Sequence, residues 1–324
     1  HMRNNRVMTP LGFSKNNYQN MTFAVVVKVE MEHFNMCGLF GFKKLDRSKT
    51  PSPRKVARIA RAMDSRGGHA VGWINGYQDT SILTEPAKHE GLASSVAGII
   101  RTDVVGTNVM VGHTRFATHG TSSNDDNLHP HEYENEYVYG AITHNGVISG
   151  HEETASRLDL ELKGECDSEI IARLIESYDG LIPYHERVAD AINECDNGSC
   201  IALGCVETDG DEVRFVLASR GNPVCYQLHH GILYYASTKE ALPNADRSLR
   251  LSEGSILYSN GDSFEVVAGL LNKIEQSFGF ANWQSYRPIH RVSPRLNSTG
   301  LWEKACEQGD HDSFDDWVAS RSCR

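Results

Sequence analysis

The order of helices and strands along this chain predicts a layered α+β fold. Residues 39–144 contain mostly strand patterns with one early helix, residues 168–195 contain two helix patterns, and residues 199–258 contain further strand patterns. Helices grouped between two blocks of strands are typical of α+β layers, whereas a parallel βαβ fold alternates strands with helices. We therefore predict an α+β domain.

The first half of the chain supplies a strand, a helix and four further strands. The helix is predicted over residues 53–63, because Pro53 suits its first position and Val56, Ile59 and Met63 share one face. Asn75-Gly76 is a typical hairpin turn, so residues 72–74 and 81–83 are predicted to pair around it. The other predicted strands of this half are residues 39–42, 109–114 and 137–144.

Apolar residues at helical spacing predict helices over residues 168–178 and 183–195. The strands predicted after them are residues 199–206, 212–219, 223–229, 232–237 and 254–258, with a turn at 208–211 between the first two.

Composition excludes several classes of function. The chain has 324 residues, a formal net charge of −10 and 40% hydrophobic residues, enough for one large or two ordinary domains. The acidic balance argues against nucleic-acid binding, which needs clustered Lys and Arg. No apolar run approaches the roughly 18 residues of a membrane span, and the apolar residues 23–27 are too short for a signal peptide.

Cysteine usage predicts a reducing compartment. Eight cysteines without a C-x-x-C pair suggest neither a disulfide scaffold nor a structural zinc site. Cys200 and Cys205 lie in an apolar run and are predicted to pack in the core. We expect a cytoplasmic protein.

One cysteine stands apart because of its position. Cys37 follows Met36 directly, so removal of everything before it would make it an N-terminal residue. A thiol beside a free α-amine, whose pKa is about 8, combines a nucleophile with a base. The alternative is an ordinary buried cysteine. Residues 1–36 are either a leader or propeptide that is removed or a non-native extension upstream of a start at Met36.

A set of motifs accompanies Cys37. They are Arg66-Gly67, the run GHTRFATHG at 112–120, NLHPH at 127–131, HNGVI at 144–148 and Asp167-Ser168-Glu169. In this order the chain resembles the glutaminase domain of class II glutamine amidotransferases, which are N-terminal nucleophile hydrolases. It is most similar to the glutaminase half of glucosamine-6-phosphate synthase. The resemblance covers about residues 37–268 and implies a four-layer αββα sandwich of two antiparallel sheets between helices. Residues 269–324 form a tail of unknown role, predicted to pack on the domain or to dock a partner.

The chemistry of glutamine hydrolysis gives the catalytic residues their roles. Cys37 would form a γ-glutamyl thioester, with the side-chain amide of Asn145 and the backbone N–H of Gly146 as oxyanion hole. One such donor is worth about 3 kcal/mol of barrier. The alternative for Asn145-Gly146 is a type I′ turn, the commonest structure for that dipeptide.

The substrate is an amino acid, so its charged groups need partners. Arg115 suits the α-carboxylate and Asp167 the α-ammonium. The resemblance implies that Thr118 and His119 line the carboxylate end and that Arg66 holds the loop near the nucleophile. The alternatives are a surface ion pair for Arg115, a helix N-cap for Asp167 and a purely structural role for Arg66.

No metal and no cofactor are predicted. Six histidines lie in one stretch of the sequence, but no H-x-x-x-H helix pattern accompanies them and the HPH run at 129–131 is predicted to be a loop. They are His113, His119, His129, His131, His144 and His151.

The resulting prediction is a glutamine amidohydrolase module. Phe116 stands where the family pattern usually has tryptophan, and Gly68-His69 replaces a larger residue followed by an acidic one. These departures concern substrate affinity more than reaction type. No synthetase domain follows residue 268, so the ammonia acceptor is expected on a separate synthetase-type partner. The alternatives are a hydrolase of another γ-glutamyl amide and a catalytically silent glutamine-binding regulatory module.

Overall fold

Two antiparallel β-sheets packed face to face form the centre of the computed structural model, which describes residues 36–117 and 120–273. In chain order the strands are β1 (Gly38–Lys44), β2 (Ala70–Tyr77), β3 (Ile82–Leu83), β4 (Ala87–Glu90), β5 (Val109–Arg115), β6 (His131–Glu134), β7 (Tyr139–Val147), β8 (Cys200–Thr208), β9 (Val213–Arg220), β10 (Cys225–His229), β11 (Ile232–Ala236), β12 (Leu249–Arg250), β13 (Ser255–Asn260) and β14 (Glu265–Val267). The α-helices are α1 (Pro53–Ala62), α2 (Ala97–Asp103), α3 (His151–Arg157), α4 (Glu169–Ser177) and α5 (Tyr184–Glu194).

The strand order puts β1 and β7 inside their sheets. The first sheet runs β12-β10-β11-β1-β5-β2-β3, with β4 pairing to β2, and the second runs β14-β13-β9-β8-β7-β6. In β1, Leu39 pairs with His113 of β5, and in β7, Asn145 pairs with Ala202 of β8. A strand with a neighbour on each side is held by ladder hydrogen bonds along both edges. Residues 40–43 of β1 and 139–142 of β7 are therefore held along both edges, and Asn145 is held by its pairing with β8.

Three apolar clusters separate four layers. The first joins α1 and α2 to the first sheet, with Phe40 and Ile59 among its members. The second fills the space between the sheets, where Leu39 and Leu217 are fully buried. The third joins the second sheet to α4 and α5, with Leu174 among its members. The predicted αββα sandwich is confirmed.

The helix predictions are confirmed with small shifts at the ends. Helix α1 begins at Pro53, and the side chain of Ser52 accepts a hydrogen bond from the Lys55 N–H at 3.4 Å, as expected of an N-cap. Its Val56 and Ile59 are fully buried against the first sheet. Helices α2 and α3 were not predicted from the sequence. Each is only seven residues long and carries one buried side chain, Ile100 in α2 and Ala155 in α3. So short a segment gives no periodic signal.

The predicted hairpin turn at Asn75-Gly76 is wrong. Strand β2 continues to Tyr77 because Asn75 pairs with Met110 and Gly76 with Val109 of β5. The turn comes afterwards, in residues 78–81, before β3. A long partner strand has overridden the local preference of an Asn-Gly pair.

The limits of the domain follow from packing. Leu271 is buried and its N–H donates to the Gly254 carbonyl oxygen at 3.2 Å, so the packed domain reaches three residues past 268. Residues 1–35 and 274–324 lie outside the described residues, and with them most of the proposed leader and tail. In the part of the chain that the structure describes, no helix combines the length and apolar character needed to cross a membrane.

Candidate active site

The Cys37 thiol sits at the entrance to β1 against the backbone of Phe116. The Phe116 N–H donates to Sγ at 3.3 Å, and Sγ donates to the Phe116 carbonyl oxygen at 3.5 Å. Burial raises the pKa of the Cys37 thiol to about 12, although the Phe116 N–H opposes the rise. With a peptide bond to Met36, this thiol is therefore protonated at neutral pH. It needs a base close by before it can act as a nucleophile.

Asn145 is connected to the nucleophile strand through one hydroxyl group. Its Nδ2 donates to Ser237 Oγ at 3.2 Å, and the same Oγ accepts the Leu39 N–H at 2.8 Å. The Asn145 carbonyl oxygen accepts from Asn222 Nδ2 at 2.9 Å. All of these groups except Asn222 are buried. Ser237 therefore fixes the Asn145 amide relative to Leu39 of β1, which lies two residues beyond Cys37. No sequence motif indicated this link.

Asn145-Gly146 belongs to a strand, so the type I′ turn alternative is wrong. Gly146 pairs with Ile201 of β8. A Cβ atom on Gly146 would lie 1.7 Å from the Cys200 carbonyl oxygen and 2.7 Å from His144 Nε2. Only glycine permits this approach of two backbones.

Arg115 and Asp167 are buried charges of opposite sign near Cys37. Their exposed fractions are 3% and 2%, so Arg115 is not a surface ion pair. Besides burial, both affect the pKa of the Cys37 thiol, Arg115 lowering it and Asp167 raising it. The N-cap of α4 is Ser168, so Asp167 does not cap that helix; its Oδ2 instead accepts the Ile148 N–H at 2.6 Å. Asp167 therefore anchors the chain just after the Asn145-Gly146 pair.

Arg66 contacts the nucleophile residue itself. Its Nε donates to the Cys37 carbonyl oxygen at 3.0 Å, and burial lowers the pKa of its guanidinium. The structural role and the site role predicted for Arg66 thus rest on the same contact, which orients the Cys37 backbone. The other two predicted substrate contacts, Thr118 and His119, lie outside the described residues.

The two departures from the family pattern touch each other. The His69 and Phe116 rings stack with centroids 4.8 Å apart, and His69 Nδ1 accepts the Ala117 N–H at 2.9 Å. His69 therefore contacts residues 116–117, and the Phe116 backbone in this segment hydrogen-bonds to the Cys37 thiol. This contact could not be predicted from the sequence, because 46 residues lie between His69 and Phe116.

Four histidines lie buried beside these groups. Burial lowers the pKa of His113 to about 3 and the pKa of His129 and His131 well below the usual value. Burial also lowers the pKa of His144, whose Nδ1 is 2.8 Å from Ser168 Oγ. These rings are neutral at pH 7. The structure also brings Cys166 near His129 and His131, which the sequence had not connected.

Two antiparallel sheets between helices, with a cysteine leading into an inner strand, are the architecture of N-terminal nucleophile hydrolases. Residues 36–195 match the family model described as "Glutamine amidotransferases class-II". The domain formed by this part of the chain belongs to the class II glutamine amidotransferases, which confirms the resemblance.

Relatives agree with this assignment. The chain is 29% identical over 256 residues to a glutamine–fructose-6-phosphate aminotransferase (isomerizing) of Clostridium perfringens, covering 76% of this chain and 39% of that protein. The enzyme of the same name from Sulfurisphaera tokodaii is 30% identical over 227 residues, covering 68% of this chain and 36% of that protein. The chain thus spans well under half the length of these relatives.

A solved structure supports the fold. The glutamine phosphoribosylpyrophosphate amidotransferase from B. subtilis superposes with a TM-score of 0.60 at 18% identity, covering 73% of this chain and 50% of that chain. At this identity the likeness concerns the fold.

Gly146→Ala is expected to destabilise the domain, because the added Cβ would overlap the Cys200 carbonyl oxygen and separate β7 from β8. Overpacking of this kind typically costs about 1–3 kcal/mol. Gly98→Ala is the control, since its Cβ would meet only Arg101 Nη2, at 4.0 Å, inside α2. Thermal unfolding should show a lower Tm for Gly146→Ala and an unchanged or higher Tm for Gly98→Ala. Equal melting temperatures would contradict the steric argument.

Proposed function

We propose that this domain hydrolyses the side-chain amide of L-glutamine, releasing glutamate and ammonia through a γ-glutamyl thioester on Cys37. The observation that carries the proposal is the arrangement around one thiol. Phe116 contacts Cys37 Sγ, and Ser237 ties the Asn145 amide to the strand that follows Cys37. A nucleophile and a hydrogen-bond donor for an oxyanion thereby occupy fixed positions on facing sheets.

The α-amine of Cys37 is the proposed base. Since burial raises the pKa of the thiol to about 12, the thiol supplies almost no thiolate by itself at neutral pH. A free α-amine with a pKa of about 8 can take the thiol proton and later pass it to the departing amide nitrogen. The thiolate attacks the amide carbon, the C–N bond breaks with release of ammonia, and water then hydrolyses the thioester to glutamate.

Asn145 and Gly146 are the proposed donors to the oxyanion. The Asn145 amide carries two N–H bonds, of which one is given to Ser237. The other remains for the developing negative charge. Donors fixed in advance lower the barrier because they need not reorganise during the reaction.

Recognition of the amino acid falls to Arg115 and Asp167. A buried guanidinium and a buried carboxylate match the α-carboxylate and α-ammonium of glutamine. We assign Thr118 and His119 to the carboxylate end and Arg66 to the positioning of Cys37. We further propose that the ammonia passes to a separate synthetase-type partner in the cytoplasm. The matched relatives carry aminotransferase in their names and are more than twice as long as the matched segment.

A second state follows from the same geometry. With Met36 attached, Cys37 has neither a free amine nor an ionised thiol. That form would bind glutamine without cleaving it, which is the silent alternative predicted from the sequence.

The remaining alternative is a hydrolase of another γ-glutamyl amide. Comparing the activity towards γ-glutamyl peptides with the activity towards free glutamine distinguishes that hydrolase from a glutaminase.

The first test compares two N-termini. Protein beginning at Cys37 should release ammonia from glutamine, whereas protein retaining residues 1–36 should be at least about a hundredfold slower, because it lacks the α-amine base. Intact mass must confirm each N-terminus before and after the assay. Equal rates would remove the α-amine from the mechanism.

The second test concerns the nucleophile in the form that begins at Cys37. Cys37→Ala should abolish hydrolysis and leave Tm almost unchanged, because the half-buried thiol contributes little packing. The glutamine analogue 6-diazo-5-oxo-norleucine should alkylate Cys37 alone. Labelling of Cys166 instead, read by peptide mass spectrometry, would move the nucleophile to that residue.

The third test separates substrate binding from stabilisation of the oxyanion. Arg115→Ala and Asp167→Ala should chiefly raise KM, since each removes a charge that contacts glutamine throughout the reaction. Asn145→Ala should lower kcat about a hundredfold or more with little change in KM.

Ser237→Ala tests how Asn145 is positioned. It should lower kcat about tenfold, the equivalent of one hydrogen bond, while Ser237→Thr restores part of the rate. The matched control is Ser255→Ala, a buried serine of β13 whose hydroxyl has no hydrogen-bond partner among the described residues. If Ser237→Ala and Ser255→Ala behave alike, Ser237 contributes only to packing.

A further inference from the structure

Three potential metal ligands converge at the start of β6. His129 and His131 lie on either side of Pro130, and Cys166 lies in the segment between α3 and α4. One ring nitrogen from each histidine and the Cys166 Sγ all lie within 4.8 Å of one another. The three side chains are 3–4% exposed. They form a compact, buried cluster, called here the HHC cluster.

Three ring nitrogens of the HHC cluster lack hydrogen-bond partners in the part of the chain that the structure describes. Among residues 36–117 and 120–273, nothing hydrogen-bonds to either ring nitrogen of His129 or to Nε2 of His131. A buried polar atom without a partner costs about 1–3 kcal/mol, so three in one place call for an explanation. The two rings meet edge to face with centroids 4.4 Å apart and do not hydrogen-bond to each other. A ligand held between them would satisfy these nitrogens.

The donor set selects the kind of ligand. Imidazole nitrogen and cysteine sulfur are the donors that zinc prefers, and three protein ligands with an open fourth position are a common zinc arrangement. Burial favours the neutral imidazole that coordinates metals. The set contains no carboxylate, so it does not suit magnesium or calcium, which bind oxygen.

We propose that His129, His131 and Cys166 bind one zinc ion. Binding would replace the Cys166 thiol proton with the metal and release that proton to solvent, leaving a zinc–thiolate bond. The ion would connect β6 to the segment that precedes α4. Because Asp167 follows Cys166 directly, the ion would also hold in place the carboxylate that accepts the Ile148 N–H. This role is structural, and the ion itself takes no part in the bond changes of glutamine hydrolysis.

The measurement uses the full chain. After incubation with zinc and removal of excess metal, plasma mass spectrometry should find about one zinc per chain. Replacement by Co²⁺ should give the near-ultraviolet absorption of a cobalt–thiolate bond. Folded wild-type protein with less than about a tenth of an equivalent of zinc and without this absorption would overturn the proposal. Neither reading depends on enzymatic activity, so the proposed function stands or falls separately.

Three cysteine variants identify the ligand thiol. Cys166→Ala should lose the cobalt–thiolate absorption. Cys195→Ala, which changes a buried cysteine at the end of α5, should keep it, and Cys37→Ala should keep it as well. Absorption that disappears with Cys37 instead would assign the metal to the nucleophile and overturn the proposal. His131→Gln provides the same test from a second ligand, with loss of stoichiometric zinc expected and folding monitored by circular dichroism.

Discussion

One hydroxyl group, that of Ser237, connects the two halves of the candidate site. It accepts the Leu39 N–H in the first sheet and the Asn145 amide of the second, so it spans the space between the sheets. Apolar packing between the sheets is not directional and would tolerate small sliding movements. A hydrogen bond has a defined distance and angle, and this one sets the position of Asn145 relative to the strand that begins beside Cys37. The relation between the proposed nucleophile and the proposed oxyanion hole depends on this hydroxyl group.

The site concentrates polar groups in a part of the protein where burial is costly. Arg115, Asp167, Asn145 and His144 are all nearly inaccessible to solvent. Each needs a hydrogen bond or an opposite charge, and the backbone supplies much of this: Ile148 N–H for Asp167 and the Gly120 carbonyl oxygen for Arg115. Buried polar networks of this kind favour one arrangement of side chains over its competitors. That property suits the proposed role of the site, which is to hold an amino acid by both charged ends.

Patterns that repeat locally predicted an α+β domain and most of its elements, and the resemblance implied the four-layer sandwich. Apolar periodicity located α1 and α4, and short apolar runs located β1 and β5. The Asn-Gly pairs were harder, since Asn75-Gly76 and Asn145-Gly146 both lie within strands despite their preference for turns. Their neighbours decide the outcome: β5 continues alongside Asn75-Gly76, and β8 lies against Asn145-Gly146. A dipeptide preference is weaker than a complete ladder of backbone hydrogen bonds.

The sequence predicted those residues of the candidate site that lie in motifs and missed those that do not. Cys37, Arg115, Asn145 and Asp167 lie in recognisable runs. In the structure Arg115 and Asp167 affect the pKa of the Cys37 thiol, and Ser237 links Asn145 to the strand that follows Cys37. Ser237 lies in no motif and is 198 residues from Leu39, so only the folded chain reveals its contact. The HHC cluster was missed for a similar reason, because Cys166 is 35 residues beyond His131 and no local spacing joins them. Long-range pairs of this kind are consequences of topology.

In the proposed mechanism, the environment of Cys37 links activity to the state of its N-terminus. Two hydrogen bonds with the Phe116 backbone fix the direction of the thiol, but burial at the same place raises its pKa to about 12. A nucleophile that is well placed is thereby unable to ionise without help. A nearby histidine could help in principle, yet burial keeps His113 neutral with a pKa of about 3, too weak a base to take the proton of a buried thiol. An α-amine on Cys37 itself overcomes this difficulty, since it lies on the same residue and adds no further buried side chain. In the proposed mechanism, the geometry that orients the thiol is therefore also the reason why a free N-terminus is required.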